Sequence, residues 1–177
     1  QTKGVTIIGY THYWIGKKST DENWNKFREA CEKLHQNLPE KTDTAGGYHM
    51  EDPLQIASGN GKGKPVFDGV MVDFNGRDGD KDLGHETFRI EKHRQDWDFC
   101  KTARKPYDLL VVACLIAAWQ ILDYRFSSDG YTDYNGEKHV KDLMPGVNFY
   151  NEIMKPEVPV TEDMLWEQRA EYYSRRT

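Results

Sequence analysis

The sequence lacks a hydrophobic run long enough to cross a lipid bilayer. Its longest apolar stretch covers residues 109–119, well short of the ~20 residues that a membrane-spanning helix needs, and Asp123 and Arg125 follow almost at once. The first residues also lack a cleavable signal pattern, and the sequence contains no Asn-x-Ser/Thr acceptor for glycosylation. We therefore expect a cytoplasmic protein that is neither secreted nor inserted in a membrane.

Cysteine is scarce, with three residues in a chain of 177. An odd number cannot pair completely, and Cys31 and Cys114 fall on predicted helices, so we expect reduced thiols. No two cysteines lie within five residues of each other, which argues against a zinc site. We predict neither a metal nor a cofactor.

Positive charge is not in excess either. The formal net charge is -5, which argues against a surface coated with basic residues for nucleic acid but leaves room for a local basic patch. Charged residues make up 30% of the chain and hydrophobic residues 37%, as in soluble globular proteins. The length corresponds to about one domain with a real core.

The clearest element of the sequence is a helix. Pro106 suits its first position, because the missing N–H would be unpaired there, and Asp108 in the first turn opposes the positive end of the dipole. Residues 109–119 are all apolar, so the helix has no polar face and must be covered on most sides. We predict a buried central helix at about 106–122, followed by a short strand at 124–127.

The flanking segments predict further helices and strands. β-branched and aromatic residues indicate a first strand at 5–14. Ser19 and Glu22 match a capping box, which opens an amphipathic helix that ends before Pro39. Strands are also indicated at 66–75 and 85–91, and Thr161 caps a last helix at 162–175.

Together these elements predict an α+β fold with one domain. A mixed β-sheet packs against the buried central helix, with the amphipathic helix near the N-terminus and a helical tail at the other end. We assign residues 1–154 to the domain. Residues 155–177 are predicted to form a linker and a C-terminal helix that docks on the domain or on a partner.

Polar and basic residues gather just before the central helix. Lys101, Thr102, Arg104 and Lys105 bring side-chain cations and a hydroxyl to the unpaired backbone N–H groups of a helix N-terminus. This combination suits a phosphate or a carboxylate. The alternative is a plain helix cap, in which Asp108 satisfies the N–H groups and pairs with Arg104 while the lysines remain solvated.

Two other segments are expected to face the same site. Ser127, Ser128 and Asp129 end the strand after the central helix, and loops at strand ends commonly carry ligand groups. The alternative is a hydrogen-bonded Ser-Asp-Gly turn. His85 lies in a His-x-Thr segment, which is half of a two-histidine phosphoesterase signature. The second half is absent, because the early candidate reads His12-Tyr13-Trp14, so an ordinary histidine at a strand edge is the alternative.

A catalytic interpretation centres on Cys100. Cations close in sequence would lower the pKa of its thiol and favour a thiolate nucleophile, with His85 or His93 as the base. The spacing does not match a tyrosine-phosphatase loop, since Arg104 follows four residues later rather than six. The alternative is a buried cysteine at a strand end.

Four blocks stand out between residues 66 and 130, and they are Asn75-Gly76, His85-Glu86-Thr87-Phe88, the ten residues FCKTARKPYD from Phe99 to Asp108, and Ser127-Ser128-Asp129-Gly130. In these blocks the chain resembles small uncharacterised proteins encoded by bacteriophages. The resemblance implies a viral origin, with the cytoplasm of the infected host as the compartment. It points to these blocks and supplies no mechanism.

The sequence is compatible with three functions. The first is a phage accessory protein that binds an anionic ligand, such as a nucleotide or a nucleic-acid phosphate, at the start of the central helix. Sequestering a nucleotide signal of host defence fits that role. The second is a structural or host-protein-binding module that uses the ten tyrosines and five tryptophans as an interface. The third is a hydrolase that depends on Cys100 or His85.

Overall fold

The computed structural model describes residues 9–43 and 49–177. Within these ranges the α+β class predicted from the sequence is confirmed. The strands are Thr11–Ile15 (β1), Ile56–Ala57 (β2), Val66–Phe67 (β3), Met71–Gly76 (β4), Phe88–Glu91 (β5), Trp97–Lys101 (β6) and Arg125–Ser128 (β7). The α-helices are Asp21–Gln36 (α1), Asp108–Leu122 (α2), Met144–Met154 (α3) and Glu162–Arg176 (α4). Positions 5–8 of the predicted first strand lie outside the described residues.

The strands form two antiparallel sheets instead of the one mixed sheet that was predicted. The first sheet has the order β6-β1-β7, and in the second β4 pairs with β2, β3 and β5. The connection from β6 through α2 to β7 is a crossover, which usually joins parallel neighbours. Here β1 lies between the two strands and runs antiparallel to both, so β6 and β7 never pair with each other.

The central helix α2 is buried as predicted, although it begins at Asp108 rather than Pro106. Every side chain from residue 109 to 118 is buried, because α1 and α3 pack against the helix and β7 contacts it as well. Gly146 of α3 permits a close approach, since a Cβ atom there would lie 2.4 Å from Cγ1 of Val112. No helix of the described residues is long and apolar enough to cross a membrane.

Helix α1 packs its apolar face on α2 and leaves its polar face in solvent, as its amphipathic pattern predicts. Trp24, Phe27 and Leu34 are buried on the packed face. Its cap is Thr20 rather than the predicted Ser19, because the Thr20 side chain accepts a hydrogen bond from the backbone N–H of Asn23. The two hydroxyl residues are adjacent in sequence, and only the backbone geometry distinguishes them.

Helix α4 lies against the β7 edge of the first sheet. Thr161 caps it, as predicted. Gln168 takes the place of a neighbouring strand, since its amide accepts from the backbone N–H of Phe126 at 2.9 Å and donates to the Phe126 carbonyl at 2.6 Å. Near the helix end, Arg175 and Lys17 both bond to Asp123, and the hydrogen bond from Lys17 is the main cause that lowers the pKa of Asp123 to about 2.

The opposite edge, β6, is also covered. The Glu86 backbone N–H donates to the Lys101 carbonyl, and the Lys101 N–H donates to the Glu86 carboxylate. The Phe99 N–H donates to the carboxylate of its neighbour Asp98. Part of each edge of the first sheet is therefore bonded within the chain, which leaves less of it open to pairing with another strand.

Candidate functional site

The cations predicted to hold an anion at the start of α2 have protein partners. The Arg104 guanidinium donates to Asp142 at 3.2 Å and lies 4.1 Å above the ring of Tyr10. Lys105 donates to the Asp82 carbonyl at 2.8 Å and lies 3.3 Å from the Asp82 carboxylate. A phosphate at this position would have to displace two carboxylates that already neutralise both charges.

The turn that leads into α2 is strained. Ala103 and Arg104 both have left-handed backbone angles, with φ of 53° and 58°, and this region costs an L-residue roughly 1–2 kcal/mol. The Thr102 N–H donates to the Tyr10 carbonyl, and the Lys105 N–H closes back on the Thr102 carbonyl. These bonds hold the turn in the conformation that seats Arg104 between Tyr10 and Asp142.

Thr102 and Ser128 belong to a buried hydrogen-bonded chain around His12. The Thr102 hydroxyl donates to the Asp108 carboxylate at 2.6 Å, and Nε2 of His12 donates to the same carboxylate at 2.5 Å. Nδ1 of His12 shares a hydrogen bond of 2.8 Å with the Ser128 hydroxyl, which also accepts the N–H of Gly130. We call these four side chains, Thr102, Asp108, His12 and Ser128, the His12 network.

The His12 network has the constituents of a nucleophile–base–carboxylate triad, but its burial favours a structural role. His12 has no exposed surface, and Ser128 is 5% exposed. The Ser128 oxygen already accepts a backbone N–H, so it caps the turn that follows β7. The Asp108–Arg104 pair of the helix-cap alternative is not formed, since Arg104 pairs with Asp142. Asp108 makes no side-chain bond to the helix N-terminus and instead joins α2 to β1 and to Thr102, which follows β6.

Ser127 and Asp129 point away from this buried network. Ser127 pairs with Tyr13 across β1, and its hydroxyl lies 3.4 Å from both the Arg169 Nε and the Tyr173 hydroxyl of α4. The Asp129 carboxylate accepts from the Thr11 backbone N–H at 3.0 Å and from the Tyr13 hydroxyl at 3.3 Å. The three residues of this block therefore lie on two faces of the sheet.

His85 lies beside Asp82, the partner of Lys105, whereas the Lys101 side chain lies on the sheet surface. His85 is exposed and lines an open polar depression of about 300 Å³, together with Asp78 and Asp82. Lys101 is exposed at the end of β6, with Nζ 5.9 Å from the centre of the Phe99 ring. The structure thus distributes the eight predicted residues over the start of α2, the buried network, the sheet surface and this depression.

Cys100 does not have the environment of a nucleophile. It is fully buried, and burial, with the Glu86 and Asp108 carboxylates nearby, raises the pKa of its thiol far above the usual value. The thiol donates to the Glu86 carbonyl at 3.5 Å. A cysteine that stays protonated at neutral pH is a poor nucleophile.

All three thiols of the folded protein should resist alkylation at neutral pH. Cys31, Cys100 and Cys114 are free and buried, and burial raises the pKa of both Cys31 and Cys100. Mass spectrometry after iodoacetamide treatment should find no label on the native protein and three labels after denaturation without reductant. Rapid labelling of native Cys100 would restore the nucleophile interpretation.

The outward face of the first sheet carries exposed aromatic side chains. Tyr13 of β1 stacks on Trp97 of β6 with ring centres 6.1 Å apart, and Trp97 lies 5.4 Å from Phe99. Tyr173 of α4 joins them through its contact with Ser127, the cross-strand partner of Tyr13. We call Tyr13, Trp97, Phe99 and Tyr173 the aromatic face.

Three cations border the aromatic face, and each one lies against a ring. The Arg176 guanidinium is 5.2 Å from the Trp97 ring, Lys101 is near Phe99, and Arg169 is 5.0 Å from the Tyr173 ring. None of the three has a carboxylate within 4.0 Å among the described residues. They differ in this respect from Arg104 and Lys105.

No model of a known protein family matches this chain, and neither a curated protein nor a solved structure matches it. A function for the chain therefore rests on the chemistry of its own residues. In the described ranges, no three His, Cys, Asp or Glu side chains are grouped so that they could hold a metal ion.

The aromatic face includes residues that the sequence did not single out. Trp97, Phe99 and Lys101 alternate along β6, which is the pattern of side chains on one face of a strand. That alternation can be read from the sequence. The sequence does not show that Tyr13 and α4 contribute to this face, because their contribution depends on which strands pair and on where the last helix docks.

Proposed function

We propose that this protein binds a ligand that carries both phosphate groups and flat bases, a nucleotide or a nucleic acid, on the aromatic face. The observation that carries the proposal is the set of three cations without carboxylate partners, each beside a ring. Aromatic side chains stack on bases, and neighbouring cations attract the phosphates. Phe99, Trp97 and Tyr173 are 39%, 37% and 45% exposed, so their rings are accessible to a ligand.

Charge favours this class of ligand over a protein partner. The chain carries a net charge of -5, yet the cations of the aromatic face are not neutralised by salt bridges. Acidic side chains near this face are engaged in other bonds, because Asp98 pairs with Arg94, and the Glu86 carboxylate accepts the Lys101 backbone N–H. The Asp129 carboxylate accepts the Thr11 N–H and the Tyr13 hydroxyl. Cations without an ionic partner attract the phosphate of a nucleotide, and the aromatic residues beside them can stack on its base.

The aromatic face is a better location for the anion than the start of α2, where the sequence placed it. Arg104 and Lys105 are both paired, and Thr102 is committed to the His12 network. Lys101 was part of the anion site predicted at the start of α2, and it also borders the aromatic face. The resemblance to small bacteriophage proteins fits an accessory protein that binds a nucleotide-bearing ligand of the infected cell without chemical change, and the environment of Cys100 supports binding rather than hydrolysis.

Replacing Phe99 and Lys101 together by alanine should weaken binding at least tenfold. One base–aromatic stack contributes roughly 1–3 kcal/mol, and about 1.4 kcal/mol corresponds to a factor of ten in affinity. The measurement is calorimetric titration with mononucleotides, cyclic dinucleotides and short oligonucleotides. Thermal melts should show a folded variant, because both side chains lie on the exposed face of an edge strand.

A control variant removes one aromatic residue and one lysine elsewhere. Tyr134 is 84% exposed, and Lys33 is exposed without an acidic partner in the described ranges. The double variant Tyr134→Ala with Lys33→Ala should bind like the parent. If the parent binds no member of the panel, the proposal fails and a protein partner becomes the better interpretation of the aromatic face. Equal loss in both double variants would also contradict it.

A further inference from the structure

The aromatic face contains ring–cation pairs in more than one place. Phe99 with Lys101 lies on β6, and Tyr173 with Arg169 lies on α4. The third pair joins Trp97 of β6 to Arg176 at the end of α4. Each pair offers one surface for stacking and one positive charge. A nucleotide likewise offers one base and one phosphate group, so each pair matches one unit of a polynucleotide.

Two of the three rings lie on neighbouring outward positions of one strand. Trp97 and Phe99 are two residues apart on the same face of β6, and a strand rises about 3.4 Å per residue, so their backbone positions are ~7 Å apart. Tyr13 stacks against Trp97 from the neighbouring strand. Because a cation lies over each of the other rings, a base that stacks there requires the long lysine or arginine side chain to move from the ring toward the phosphate.

From this arrangement we infer that the ligand is a single-stranded nucleic acid, of which several consecutive nucleotides contact the aromatic face. The inference rests on the proposed function and specifies its substrate class. A mononucleotide has one base and uses one ring–cation pair, whereas a single strand uses all of them. A duplex hides the faces of its bases inside the stack and cannot place them on the rings.

The test is a length series of oligothymidylates at fixed salt, with binding followed by fluorescence anisotropy or, for thymidine monophosphate, by competition. Affinity should rise at least tenfold between one and four nucleotides and then level off. The dependence on salt should follow the number of contacted phosphates, with a slope of about -0.7 each for a single strand. Lys101→Ala and Arg176→Ala should each reduce the steepness of that slope by about one such step.

Three outcomes would overturn the inference, and two of them leave the proposed function standing. Thymidine monophosphate that binds as tightly as the four-nucleotide strand indicates a mononucleotide site on the same face. A duplex that binds as tightly as either of its single strands indicates recognition of backbone charge alone. If no length and no member of the mononucleotide panel binds, the proposed function fails together with the inference.

Discussion

Ala113→Asp should prevent stable folding. Ala113 has no exposed surface and lies in the middle of α2, where the neighbouring residues of the helix are apolar and buried. An unpaired carboxylate at this position costs several kcal/mol, against a total stability of about 5–15 kcal/mol for a typical domain. Circular dichroism should show loss of the cooperative thermal transition, or a midpoint far below that of the parent.

The control for this variant is Lys138→Ala. Lys138 is exposed, so its replacement should change the melting temperature very little. Two variants that melt at the same temperature as each other and as the parent would mean that the side chain of Ala113 is not in the core, and the position of α2 would have to be revised.

Elements that depend on local pattern could be predicted from the sequence. An unbroken apolar run identified α2, helical spacing identified α1, and Thr161 marked the start of α4. Each signal lies within one short continuous segment of the chain. Errors at the helix starts, such as Ser19 for Thr20, arise because adjacent residues offer the same capping chemistry.

The pairing of the strands could not be predicted, because it joins distant parts of the chain. β1 pairs with β6 and β7, which lie more than eighty residues further along, and no local pattern encodes that choice. The placement of His12 beside Ser128 follows from it, as does the placement of Tyr13 beside Trp97. Both the His12 network and the aromatic face were therefore missed as assemblies.

The ion pairs near α2 could not be predicted for the same reason, because their partners come from distant parts of the chain. The sequence indicated that cations precede the helix, but it did not reveal that Asp142 and Asp82 would neutralise them from positions far away in the chain. Sequence proximity of Arg104 to Asp108 suggested an ion pair that does not form. Asp108 instead meets His12, because β1 lies directly beside the start of α2.

His12→Leu should destabilise the protein by about 3–5 kcal/mol, the usual cost of removing one partner from a buried pair. The leucine leaves the Asp108 carboxylate with only the Thr102 hydroxyl, and Ser128 loses its contact with Nδ1. Chemical denaturation of the parent, His12→Leu, Asp108→Asn and the double variant measures the coupling between the two side chains. The double variant should be more stable than the sum of the two single losses predicts. With Asp108→Asn in place, removal of His12 no longer leaves an unpaired buried charge, because the asparagine amide is neutral. Strictly additive losses would show that the contact between His12 and Asp108 does not contribute to stability.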